Sequence, residues 1–211
     1  MKRLLLLFLV SFPVQADTIL LLGDSIRRGY DEYVKEELPC AVWDEDNGRY
    51  LGYTLREVSP GKTHLDVWLE TYNPTVVHFN NGLWDAKRRE PLRKYRRQLR
   101  RVIRTIIDFG AMPLFSETTP APMARPEERD KRIRTYNAHA RRVMQSEGVP
   151  FLRLHNFMLP YDGYHGRPSW HPLCNRRNGC RISDNIHYID GGYRIIAGQV
   201  SDFIKLYASC D

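Results

Sequence analysis

Apolar residues along the chain fall in short runs, separated by stretches in which they recur every three or four positions. Ile19 to Leu22 is an unbroken apolar run of strand length, closed by Gly23. Tyr33 to Leu38 reads as part of a helix ended by Pro39, and Cys40 to Trp43 as a second short strand. Thr75 to Phe79 is a strand bounded by Pro74 and the Asn80-Asn81-Gly82 turn. Leu92, Tyr95, Leu99, Val102, Ile103 and Ile106 then recur at helical spacing, which predicts a basic helix that stops near Gly110. Met112 to Phe115 is another strand, and Thr119-Pro120-Ala121-Pro122 begins a loop. Lys131 to Glu147 reads as a helix with Ile133, Tyr136, Ala140, Val143 and Met144 inward. Val149 to Leu154 is the next strand, and Tyr193 to Tyr207 closes the chain as a helix. Alternation of this kind gives an α/β fold, a parallel sheet with helices on both faces. The exception is Asn156 to Ser183, a long stretch with Pro160, Gly163, Gly166, Pro168, Trp170, Pro172 and Gly179. Loops of that length in a compact domain are usually functional, and this one is expected to form a wall of the site.

The first residues carry a different signal. Lys2 and Arg3 precede the apolar run Leu4 to Val10, Pro13 breaks it, and Val14-Gln15-Ala16 supplies small residues at −3 and −1. That is the layout of a secretory signal peptide, with cleavage expected after Ala16. The run is well short of the roughly 20 residues that span a bilayer, so stable membrane insertion is not expected. Residues 17–211 then form a single domain, large enough to bury its own core. Export makes the four cysteines candidates for disulfides. Cys174 and Cys180 flank a short loop and are paired on that ground, which leaves Cys40 with Cys210 among the three pairings possible. No metal-ligand spacing is present, and no metal or cofactor is expected.

Net charge is +7, falling to about +5 once Lys2 and Arg3 are removed. Much of the excess lies between Lys87 and Arg104, including Arg93, Arg97 and Arg100. The apolar stripe of the same segment puts these arginines on the opposite, wet face, so a solvated helix surface is favoured over a nucleic-acid site. Mild attraction to acidic polymers or membrane surfaces follows from the charge alone.

Two short segments carry chemistry. Gly23-Asp24-Ser25 directly follows the first strand, where a serine hydroxyl is exposed at a strand-to-helix turn and the turn's N–H can face an oxyanion. Asp184-Asn185-Ile186-His187 stands just before the last helix, and an Asp three residues ahead of a His can orient the imidazole as a base. Each is weak alone. Together they resemble the first and last blocks of the SGNH (GDSL-type) serine hydrolase superfamily: Ile19 to Ser25, and Asp184 to Tyr193 with the Gly-Tyr that opens the final helix. The resemblance implies a flavodoxin-like three-layer α/β/α sandwich with about five parallel strands, no metal, and ester hydrolysis. It makes Ser25 the nucleophile, His187 the general base and acid, and Asp184 its orienting partner.

The middle blocks depart from that pattern. A glycine after the second strand contributes an oxyanion N–H in these enzymes; Gly48 is the choice here, with Gly52 as the alternative. The third block is usually Gly-x-Asn-Asp, but this chain has Gly82-Leu83-Trp84-Asp85, similar to a branch with Asn-x-Gly-Leu-His/Trp-Asp. Tryptophan cannot replace a short amide as donor, so Trp84 is expected to wall the pocket together with Trp170. The third donor falls to Asn80 or Asn81, and period-two alternation favours Asn80. The plainer alternative is that both are turn residues and that Asp85 caps the basic helix. His64, His78, His139, His155, His165 and His171 are expected to be surface or structural. The expected protein is a monomeric, exported esterase acting on small or glycan esters, with carbohydrate O-acetyl groups favoured. Lipase, lysophospholipase, thioesterase and acyltransferase activities share the same machinery, and a polyanion-binding protein without catalysis is the reading from a different class.

Overall fold

The computed structural model describes residues 16–45, 50–120, 126–161 and 186–211, the side chains of 126–129 excepted. Its centre is a five-stranded parallel sheet of β1 (Ile19–Leu22), β2 (Ala41–Val42), β5 (Val76–Phe79), β6 (Met112–Ser116) and β7 (Phe151–Leu152), in the order β2-β1-β5-β6-β7. Every residue of β1 and β5 is buried, as expected for central parallel strands covered on both faces. Helices α1 (Ser25–Glu37) and α8 (Asp190–Lys205) pack together on one side. Helices α3 (His64–Tyr72), α5 (Leu92–Phe109) and α6 (Pro126–Glu147) pack against one another on the other, with the short α2 (Leu51–Thr54) and α4 (Leu83–Lys87) beside them. This is the flavodoxin-like three-layer architecture.

The α1–α8 contact depends on a missing side chain. A Cβ at Gly29 would fall 2.1 Å from the Tyr193 ring, so the aromatic residue of the last block packs flat against the backbone of the first helix. The Cys40–Cys210 disulfide ties the same region to the C-terminus across 170 residues. Asp17 joins it: its N–H donates to the Ser209 carbonyl at 3.1 Å, and its carboxylate accepts from Ser209 N–H at 2.9 Å. Cys174 and Cys180 lie outside the described residues.

Several elements differ from the sequence reading. The single basic helix is two: α4 ends at Arg88, Arg89 turns the chain in the left-handed region at φ 54°, and α5 begins after Pro91. Asp85 is therefore no cap of α5; it sits inside α4 and is fully buried. Arg100 is half-buried and holds Glu147 at 2.9 Å, so it does not belong to the open wet face. The strand expected over Val149 to Leu154 shrinks to β7, and α7 (Leu154–Met158) follows at once, because Leu154, His155 and Met158 bury one helical face. Also unforeseen were α2, α3 and the antiparallel hairpin β3 (Glu57–Ser59)–β4 (Lys62–Thr63). A signal for α3 was present: Thr63 caps the Asp66 N–H while the Asp66 carboxylate returns to the Thr63 N–H, a reciprocal box three residues apart.

Candidate active site

The strand order places one crevice. From β1 the chain crosses to β2 on one side, and the later strands are added from β5 onward on the other, so β1 and β5 are the neighbours at which the winding reverses. Ligands of open α/β sheets bind beyond the carboxyl ends of the strands at such a point. Ser25 follows β1 there, and Asn80 and Asn81 follow β5.

Asp24 caps α1, its carboxylate accepting the Ile26 N–H at 2.9 Å, and Ser25 is the first helical residue. That cap holds the serine at the positive end of a 13-residue helix, where backbone N–H groups are unpaired within the helix. His187 enters from the other end of the sequence, and its Nε2 lies 2.8 Å from Ser25 Oγ, across 162 residues. The pair opens into a pocket of about 210 Å³ lined by Leu83, Trp84, Ala86, Lys87, Ile133 and Ile186. Trp84 lines this cavity. Among the described residues, the lining side chains other than Ser25, His187 and Lys87 are apolar.

Asn80 lies beside the serine turn. A Cβ on Gly23 would stand 1.8 Å from Asn80 Oδ1, so the glycine is required by the close approach of this amide. The Asn80 side chain is completely buried, and neither its Oδ1 nor its Nδ2 has a hydrogen-bond partner among the described residues. An amide left in that state costs about 1–3 kcal/mol. Asn81 is buried as well, so the expected alternation of the two side chains does not expose one and bury the other; its carbonyl accepts from the Tyr95 hydroxyl at 3.2 Å.

The sequence profile of the GDSL-like lipase/acylhydrolase family matches residues 21–195. The chain belongs to that family. No curated protein matches it significantly. Among solved structures it is similar to the psychrotrophic esterase EstA from Pseudoalteromonas sp., in a structure inhibited by monoethylphosphonate. That match has 19% identity and TM-score 0.66, over 90% of this chain and 98% of that one. It is also similar to the acetyl xylan esterase AlAXEase, at 20% identity and TM-score 0.62 over 88% and 98%. A lipase/acylhydrolase from Enterococcus faecalis gives 20% identity and TM-score 0.62 over 92% and 98%.

Around this hydrolase site, burial shapes the titratable groups. Burial pushes the Asp24 carboxyl up to about 6, opposed by the Ile26 N–H and by Arg27. Burial likewise pushes Asp85 up to about 7; its oxygens make no close hydrogen bond, and the N–H groups of Leu51 and Asp85 offset the effect only in part. His78 is structural, as expected. Its Nε2 meets Ser116 Oγ at 2.7 Å between β5 and β6, and burial lowers it to about 3, leaving the ring neutral. His155 is buried against Asp130 at 2.9 Å, while His139 meets Arg96 and His64 stacks on Tyr53.

Asp184, Gly48, Trp170, His165 and His171 lie outside the described residues. Gly52 is inside α2, where an added Cβ would stand 2.8 Å from the Tyr50 ring. The sequence reading missed Leu83, Lys87, Ile133 and Ile186 as pocket walls. For Ile133 the only signal was inward helical spacing, which says that a residue is buried but not what it faces.

Proposed function

We propose that the protein is an exported esterase that removes short acyl groups from carbohydrate, with Ser25 as nucleophile, His187 as general base and acid, and Asp184 orienting the imidazole. The observation that carries the reading is the 2.8 Å contact between His187 Nε2 and Ser25 Oγ at the mouth of an apolar pocket. With the proton of the neutral ring on Nδ1, Nε2 accepts the serine proton as Oγ attacks the ester carbon. The tetrahedral intermediate places its negative oxygen against the Ser25 N–H, with Gly48 and Asn80 as further donors. Collapse breaks the ester C–O bond, and His187 returns its proton to the departing alcohol oxygen. Water then attacks the acyl-enzyme by the same route, releasing the acid and restoring Ser25.

A pocket of about 210 Å³ is smaller than the roughly 300–1,000 Å³ that hold drug-sized ligands, which supports a short acyl group over a long lipid chain. The likeness to an acetyl xylan esterase points the same way. Export is supported by the signal-like first 16 residues and by the Cys40–Cys210 disulfide, since such bonds persist in oxidising compartments. Among the described residues no helix is long and apolar enough to cross a membrane.

The test is turnover of p-nitrophenyl esters from acetate to dodecanoate. Ser25→Ala and His187→Ala should each lower kcat by several orders of magnitude, with the double variant little worse than either. Activity that peaks at acetate supports the deacetylase. A peak at eight carbons or beyond supports a lipase, and a Ser25→Ala enzyme with a tenth of wild-type turnover removes Ser25 as nucleophile.

A further inference from the structure

A set of cation–ring and ring–ring contacts begins at the pocket wall. Lys87 Nζ, at the pocket wall, sits 4.1 Å over the Trp84 ring. The next residue, Arg88, lays its guanidinium 4.4 Å over Tyr50. Tyr50 is 6.4 Å from Tyr53, and Arg56 covers Tyr53 at 4.7 Å. Tyr53 in turn stacks on His64 at 4.3 Å, and His64 on Trp68 at 5.4 Å. Lys87, Arg88 and Arg56 are all exposed, and among the described residues none of them pairs with a carboxylate.

We infer that this set is a binding track for an acidic glycan chain, with Lys87 reading a carboxylate next to the scissile ester and Arg88 and Arg56 reading carboxylates farther along. The inference rests on the esterase reading above and names its substrate class. Each ring holds its cation in place, so the charge is already positioned and little side-chain freedom is lost on binding. Cations with no counter-charge among the described residues attract anions. A single anionic headgroup would need one such cation; three in succession match a polymer that carries a carboxylate on successive units.

The experiment compares kcat/KM on acetylated polygalacturonate with kcat/KM on acetylated xylan for wild type, Lys87→Met, Arg88→Gln, the double variant and Arg56→Gln. Met and Gln keep the rings covered, so folding should hold, and p-nitrophenyl acetate turnover by wild type and by Arg56→Gln reports the esterase reading separately. The acidic-to-neutral ratio should fall about three- to tenfold in the double variant, and about twofold in Arg56→Gln, chiefly through KM. Raising salt should shrink the wild-type ratio and leave that of the double variant nearly flat. Equal ratios in wild type and double variant, with the small ester still turned over, overturn the track and spare the esterase. If wild type hydrolyses no ester, the esterase reading fails. The track is then decided by affinity electrophoresis in de-esterified polygalacturonate, where the double variant must be less retarded than wild type. Loss of binding to phosphatidylglycerol vesicles with unchanged retardation in polygalacturonate would transfer the surface to a membrane and sink the glycan assignment.

Discussion

Gly23→Ala tests the link between the serine turn and the Asn80 amide. The new Cβ would stand 1.8 Å from Asn80 Oδ1 and 2.8 Å from Arg27 Cβ. Both neighbours are completely buried, so neither has open space to retreat into. Oδ1 must move by roughly 1.6 Å to reach ordinary contact near 3.4 Å, or the turn bearing Ser25 must shift instead. Overpacking of a filled interior costs about 1–3 kcal/mol. A donor misplaced by more than an ångström is lost to the oxyanion, and that loss is worth about 10²–10³ in kcat. Steady-state kinetics on p-nitrophenyl acetate and urea unfolding measure the two effects independently. Asn80→Ala alone should lose the same kcat with KM little changed. Combined with Gly23→Ala it removes the Oδ1 clash, so the double variant should regain part of the lost stability while its kcat stays at the Asn80→Ala level. The two changes should therefore couple in both readouts. Wild-type kcat in Gly23→Ala would refute the required contact. Wild-type kcat in Asn80→Ala would refute the donor.

Asp85 gives a pH prediction. Its folded value near 7 lies above the ordinary 3.8, so the fold binds more protons than the unfolded chain between those limits. The associated stability is complete below about pH 4 and is lost as pH rises toward 7, amounting to about 4 kcal/mol. Asp85→Asn should flatten that fall in urea unfolding at pH 5 and pH 8, and parallel slopes for the two proteins would contradict the burial effect. Cys40→Ser/Cys210→Ser opens a closure spanning 170 residues and should cost about 2–5 kcal/mol; a melting temperature unchanged by reductant in wild type would show that the bond contributes nothing. Reversing Arg93, Arg97 and Arg101, which are exposed on α5, to glutamate should leave neutral-ester turnover within about twofold, since solvated charges do little for chemistry elsewhere. A larger change would place the α5 face in the site.

The sequence alone determined the parts that depend on local pattern. The buried runs of β1 and β5, the stripe Leu92 to Ile106 and the Cys40–Cys210 bond were legible because apolar period and cysteine arithmetic act on near neighbours or on few alternatives. The serine motif after β1 and the histidine motif ahead of α8 were also visible, each as a short segment just before a helix. Their meeting was not. Ser25 and His187 are 162 residues apart, and only the winding of the sheet about β1 and β5 brings Nε2 to 2.8 Å from Oγ. Tertiary packing likewise set where the Asn80 amide lies. The alternation rule treats a strand as isolated, whereas the chain leaves β5 against the backbone of Gly23, and a contact of that kind leaves no mark in either segment read separately. It decided Asp85 and Arg100 too: a cap was the plainer alternative for the first and a wet-face charge the reading of the second, yet Asp85 is fully buried in α4 and Arg100 pairs with Glu147 of α6. The cation-and-ring track joins Lys87 and Arg88 to Tyr50, Tyr53 and Arg56 across about 30 residues, so it exists only in the folded surface. Periodicity says which side of an element is covered; what covers it is set by which distant segment the core brings alongside.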